Sequence, residues 1–221
     1  MVDADTEQLL GDKKGRRMLT RRSSASGFSL IELMIVLVVL TFALLLGAPS
    51  FSAWMQNSKL RGSAGSILAG LQFAKSEAVA RNALVTFQLV SSLDDSCTLS
   101  TTSPTWVVNL AAGGASVEGL CATTPQATTT TAPFIIGAHD GISAPSGLVV
   151  NSGGVTSITF NGLGRPTVPA NVTIELSNPT IGACAAPSGG GPVNCMRVVV
   201  SAAGDVRMCN PRFLLPDPQG C

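Results

Sequence analysis

The chain has 221 residues, 45% hydrophobic and only 12% charged, with a net charge of +1 at pH 7. The charge is unevenly spread: up to Gly27 there are six basic and four acidic residues, and beyond it eight basic and nine acidic. A net −1 beyond Gly27 argues against nucleic acid as a partner held by overall charge. A single histidine, His139, leaves little room for Ser-His-Asp or Cys-His catalysis, and no enzyme is expected.

Met1 to Ser26 is polar and has no apolar period, as expected of a cytoplasmic leader. Lys13, Lys14, Arg16, Arg17, Arg21 and Arg22 then precede the run Gly27 to Gly47, which is free of charge from Leu33 onward. About 20 helical residues at ~1.5 Å each span roughly 30 Å, the thickness of a bilayer's hydrocarbon core. The basic flank holds the N-terminus in the cytoplasm and sends the rest outward. Glu32 is out of place in a plain anchor, because a carboxylate just inside an apolar run costs up to a few kcal/mol (about 3) unless paired.

Three readings compete for this run. A secretory signal would be cut after Leu46-Gly47-Ala48, leaving Pro49 at the new terminus, a poor site. A plain signal anchor leaves Glu32 without a role. A cut between Gly27 and Phe28 accounts for both. The basic leader ending in Gly27, then Phe28-Ser29-Leu30-Ile31-Glu32 and an apolar helix, resembles the type IV prepilin class. That resemblance implies cleavage after Gly27 by a prepilin peptidase and N-methylation of Phe28. It also implies that Glu32 neutralises the N-terminal amine of a neighbouring subunit during assembly.

Beyond Gly47 the helix is expected to continue, kinked at Pro49. Trp54, Leu60, Ala64, Ile67, Leu68, Leu71, Ala74 and Ala78 recur mostly at steps of three or four, the mark of one buried stripe. Glu77 and Arg81 stand at i and i+4 in the favoured order. Gly62, Gly65 and Gly70 each weaken the helix, and Asn82 is a natural stop. The segment Ala74-Lys75-Ser76-Glu77-Ala78, then Arg81-Asn82 and Val85, resembles the GspH/FimT family. This comprises H-type minor pseudopilins of type II secretion and T/U-type minor pilins of type IV pili; Lys75 departs from the family's usual Arg.

After Asn82 the period becomes strand-like. The runs are Val85–Val90, Trp106–Leu110, Phe134–Ile136, Leu148–Val150, Val155–Phe160, Val172–Leu176, Met196–Val200 and Val206–Cys209. The last two should pair across the Ala202–Asp205 turn. The expected class is α+β, a long helix on a β-sheet head. The chain divides into a leader (1–27), a membrane and assembly helix (28–48), an amphipathic helix (49–82) and a periplasmic head (83–221). Thr98–Thr105, Ala122–Ala132 and Gly182–Asn194 read as loops.

Six cysteines, Cys97, Cys121, Cys184, Cys195, Cys209 and Cys221, fall on the exported side, where an even count favours disulfides. Fifteen pairings exist in principle; nearest-neighbour pairing is the simplest. No Cys-x-x-Cys occurs, so no metal or other cofactor is expected. Asp94-Asp95, Glu118 and Asp140 read as solvated acids of separate turns, and Asn161–Arg165 as a strand-end turn.

Resemblance also brings DNA into consideration, since some T-type minor pilins bind it through C-terminal arginines. Here Arg165, Arg197, Arg207 and Arg212 would form at most a weak patch, and solvated strand arginines or ion pairs with Asp205 and Asp217 are the simpler expectation. The implied partners are the peptidase, other major and minor pilins or pseudopilins, an inner-membrane assembly platform and, before assembly, membrane lipid. The implied location is the bacterial inner membrane, single-pass with the head periplasmic, and then a pilus or pseudopilus. The tail Cys209 to Cys221 resembles T/U-type pilins, which puts the type IV pilus first, type II secretion second and DNA uptake third.

Overall fold

The computed structural model describes residues 27–111, 116–122, 133–167 and 171–221; of residues 46–50 it describes the backbone alone. The leader, and most of the Thr-rich run 122–132, lie outside the described residues. One helix, α1 (Leu30–Arg81), is followed by eight strands: β1 (Val85–Val90), β2 (Thr105–Leu110), β3 (Ile135–His139), β4 (Val149–Asn151), β5 (Ser157–Phe160), β6 (Val172–Ser177), β7 (Met196–Val200) and β8 (Val206–Cys209). The chain divides into two units, Met1–Leu45 and Leu46–Cys221. In the first, the described residues from Leu30 onward are helical.

In the second unit α1 buries Leu60, Ala64, Ile67, Leu71, Ala74 and Ala78 completely, at alternating steps of four and three. Trp54, expected on that stripe, is 65% exposed. Six residues before Leu60, it is rotated about 240° from it at 100° per residue and cannot share its face. The helix ends as Asn82 enters the left-handed region at φ 46°. Asn82 N–H donates to Val79 O (3.3 Å) and Ala83 N–H to Ala78 O (3.2 Å), the two bonds of a Schellman motif. Pro49 lies within the assigned helix; its side chain, and the kink expected there, fall outside what is described.

The single sheet expected from the sequence is two four-stranded antiparallel sheets, ordered β3-β2-β1-β5 and β4-β6-β7-β8. β7 and β8 pair across their short turn as expected, Val200 opposite Val206. Both sheets contribute to one core with the helix stripe: Phe87, Trp106, Val108 and Phe160 from the first, Ile174, Val198 and Val200 from the second. Alternation is blurred in β1, whose residues are all buried. Its outer face is covered by a second small core of Val90, Cys97, Val107, Val117, Cys121 and Ile135. Polar side chains on that face pair with one another: Gln88 donates to Asn109 (2.8 Å), and Thr86 meets Thr159 (2.9 Å).

The cysteines pair in nearest-neighbour order, Cys97–Cys121, Cys184–Cys195 and Cys209–Cys221. The Thr98–Thr105 run is less loop-like than expected. Leu99 bridges Val90, and Thr105 is buried in β2.

Candidate functional site

Gly27, Phe28 and Ser29 precede α1 and are exposed. Ser29 O accepts the first helical bond, from Leu33 N–H at 3.1 Å, so Ser29 occupies the N-cap position and Glu32 the third helical position. This S-x-x-E spacing is that of a capping box, and a carboxylate in the first turn also suits the positive end of the helix dipole. The sequence reading passed over this placement of Glu32 at the positive end of the helix. The placement explains an acid near this end of a helix without explaining why the following turns are wholly apolar.

From Leu30 to Leu45 the large apolar side chains are exposed on every face, from 52% at Leu37 to 79% at Leu30. The polar interruption Thr41 donates its hydroxyl to Leu37 O at 2.7 Å, so it brings no unpaired group to an apolar medium. A helix apolar all round belongs in lipid or among other helices. Among the described residues no helix is long and apolar enough to cross a membrane. The described side chains of this run stop at Leu45.

Gly27 has open space around it, and a Cβ there would meet no atom within 4 Å. The fold therefore does not require glycine at this position.

Of the four arginines, Arg197 has its charge paired, to Glu175 across β6 and β7 (Nη2 to Oε1, 2.6 Å), in place of the expected Asp205 or Asp217. Arg207, exposed on β8, stands opposite Val199. Arg165 ends the Asn161 turn, whose Asn161 Oδ1 accepts from Leu163 and Arg165 N–H at 3.0 and 3.1 Å. Arg212 lies in the disulfide-closed tail, 5.8 Å over the Phe213 ring.

The loop acids act locally. Hydrogen bonds from the Ser96 hydroxyl, then Ser96 N–H and Ser92, hold the Asp94 carboxyl below its ordinary range. Asp140 caps a short 3-10 helix at Ile142 N–H, 3.1 Å. Glu118 accepts from Leu99 N–H at 3.0 Å, so the Asp94 and Glu118 loops are neighbours, joined by Cys97–Cys121. His139 stacks on Trp106, with 5.7 Å between ring centres. Among the described residues no three His, Cys, Asp or Glu side chains gather as metal ligands.

The family described as type II transport protein GspH matches residues 63–204, and the prokaryotic N-terminal methylation motif matches residues 22–48. Two crystal forms of the type IV minor pilin FimU from Pseudomonas aeruginosa are similar in fold. One is 16% identical, with 70% of this chain and 91% of that chain covered, at a TM-score of 0.44. The other is 17% identical, with 67% and 90% covered, at 0.41. No curated protein matches the chain.

Proposed function

The chain belongs to the GspH family of type II transport proteins, and within that minor pilin and pseudopilin family we propose that it is a non-enzymatic filament subunit. The leader is removed after Gly27 by prepilin peptidase, and Phe28 becomes the methylated N-terminus. Phe28 to Ala48 holds the chain in the inner membrane with the head in the periplasm. The helix then leaves lipid to pack among the helices of its neighbours, and α1 beyond Pro49 carries the head.

The observation that carries this reading is the helix Leu30–Leu45, apolar on every face, with one carboxylate, Glu32, in its first turn. A lone carboxylate in an apolar helix bundle is costly, and the same carboxylate against a neighbour's terminal amine is stabilised. Glu32 thereby favours the one axial register in which charge meets charge. The open space at Gly27 fits a glycine required by a processing enzyme rather than by the fold.

The filament we favour is a type IV pilus, on the likeness of the disulfide-closed tail, Cys209–Cys221, to T/U-type pilins. A second reading, the pseudopilus of type II secretion, is favoured by the description of the matching family. DNA uptake ranks third, since Arg197 is neutralised by Glu175.

Glu32→Gln tests the charge of Glu32, because it keeps the size and shape of the side chain and removes the charge. The variant should insert into the membrane and lose its leader normally, and its recovery in sheared filaments should fall at least about tenfold. Normal incorporation would sink the charge-pairing role. Loss of surface pili with retained exoenzyme secretion in a deletion strain supports the first filament, and the converse supports the second.

A further inference from the structure

A groove of about 350 Å³ lies among three elements: the α1 turns from Trp54 to Arg61, the loop closed by Cys184–Cys195, and the tail closed by Cys209–Cys221. Its walls are fixed by hydrogen bonds. Asn57 donates to Pro192 O (3.1 Å) and accepts from Asn194 N–H (2.9 Å), which ties the first loop to the helix. In the tail, Asn210 N–H donates to Gln219 O (2.7 Å), and Asn210 Oδ1 accepts from Arg212 N–H (2.8 Å).

The walls present Trp54, 65% exposed, with Phe51 5.9 Å away along the helix, and the guanidinium groups of Arg61 and Arg212. Neither arginine has an ion-pair partner among the described residues. Glu77 is paired with Arg81 and Glu175 with Arg197; Asp217 lines a neighbouring cavity with Arg212 but forms no ion pair with it, its Oδ1 accepting from Gln219 N–H at 2.8 Å. An exposed tryptophan beside two arginines that form no ion pair, on rigid walls, has the composition of a protein-binding hot spot. Two unpaired guanidinium groups select carboxylates and repel cations.

Lipid phosphate is the competing anion, and distance argues against it. At ~1.5 Å per residue Arg61 lies roughly 20 Å beyond Gly47, whereas the headgroup layer is only about 5–8 Å thick. We propose that the groove docks an acidic segment of a neighbouring filament subunit. Its carboxylates lie on Arg61 and Arg212, and an apolar side chain of the same segment packs on Trp54. This proposal rests on the filament reading above.

The test uses the full chain in its own cells, with the photo-crosslinking residue benzoyl-phenylalanine at Trp54 or, separately, at Leu40. The Trp54 probe should join an Asp/Glu-rich peptide of another chain bearing an N-terminal methylation motif. Arg61→Glu with Arg212→Glu should lower that yield at least about tenfold, and Arg61→Lys with Arg212→Lys should retain most of it. Leader cleavage and intact disulfides on a non-reducing gel confirm that each variant is folded. No adduct, a lipid adduct only, or an adduct indifferent to charge reversal overturns the groove proposal. A Leu40 probe that still captures a neighbour's helix leaves the filament reading standing in those cases; one that captures none overturns that reading as well.

Discussion

Lys75 Nζ donates to Gly204 O at 2.7 Å, joining the C-terminal end of α1 to the turn between β7 and β8. The same side chain flanks Gly164, where a Cβ would lie 3.2 Å from Lys75 Cε and from Val79 Cγ2. One cation therefore holds the helix, the Asn161–Arg165 turn and the second sheet together. Lys75→Met keeps the stem packing and deletes the charged donor. At this half-buried site it should lower stability by about 1.5 kcal/mol, read from denaturant midpoints. An unchanged midpoint would mean that the bond contributes nothing net.

The glycines of α1 are not equivalent. Gly62 and Gly65 have no atom within 4 Å of a would-be Cβ, whereas at Gly70 a Cβ would lie 2.7 Å from the Trp106 ring and 2.8 Å from Phe87. Alanine at Gly62 or Gly65 should stabilise the head by up to ~1 kcal/mol, through helix propensity alone. Alanine at Gly70 should instead destabilise it by roughly 1–2 kcal/mol, because the rings cannot give way without opening the core. Thermal melts of the three variants check the sign in each case.

The three disulfides close loops with sequence separations of 24, 11 and 12. In the chain-entropy account, loss of Cys97–Cys121 costs about 3.5 kcal/mol and loss of either shorter loop about 3. Cys97 and Cys121 also belong to the small core outside β1. Paired Cys→Ala variants, unfolded in urea, should therefore rank with Cys97–Cys121 the most damaging.

Asp94 supplies a pH dependence whose sign follows from its bonds. Its folded pKa is depressed by Ser96 and Ser92, so its contribution is complete above the ordinary carboxylate pKa. That contribution is lost as pH falls through the lowered folded value. The Asp94 carboxyl signal, followed by NMR, should titrate below that of an unfolded peptide, and Ser96→Ala should bring it back up.

The strands were legible because each is a short β-rich run between breakers, and Val206–Cys209 needed only a local turn to find Met196–Val200. Their division into two sheets was not legible. It depends on β5 pairing with β1 across some seventy residues, Val85 opposite Phe160, while β4 pairs with β6. Such partners are chosen by non-local packing and leave no mark within either run. The N-terminal motif, matched over residues 22–48, was legible for the opposite reason: Gly27, Phe28 and Glu32 lie within six residues, and a charge beside an apolar run is conspicuous by itself. The groove at Arg61 and Arg212 was hidden because its walls are 151 positions apart in the chain. Trp54 was misplaced on the buried stripe for a local reason: six residues before Leu60, it lies outside the steps of three and four that define the stripe.

The most direct measurement is the intact mass and N-terminal fragmentation spectrum of the chain recovered from membranes and filaments. The account predicts a chain that begins at Phe28, carries one N-methyl group and has its disulfides formed. A recovered chain that still carries residues 1–27, or one that begins at Pro49, would contradict it.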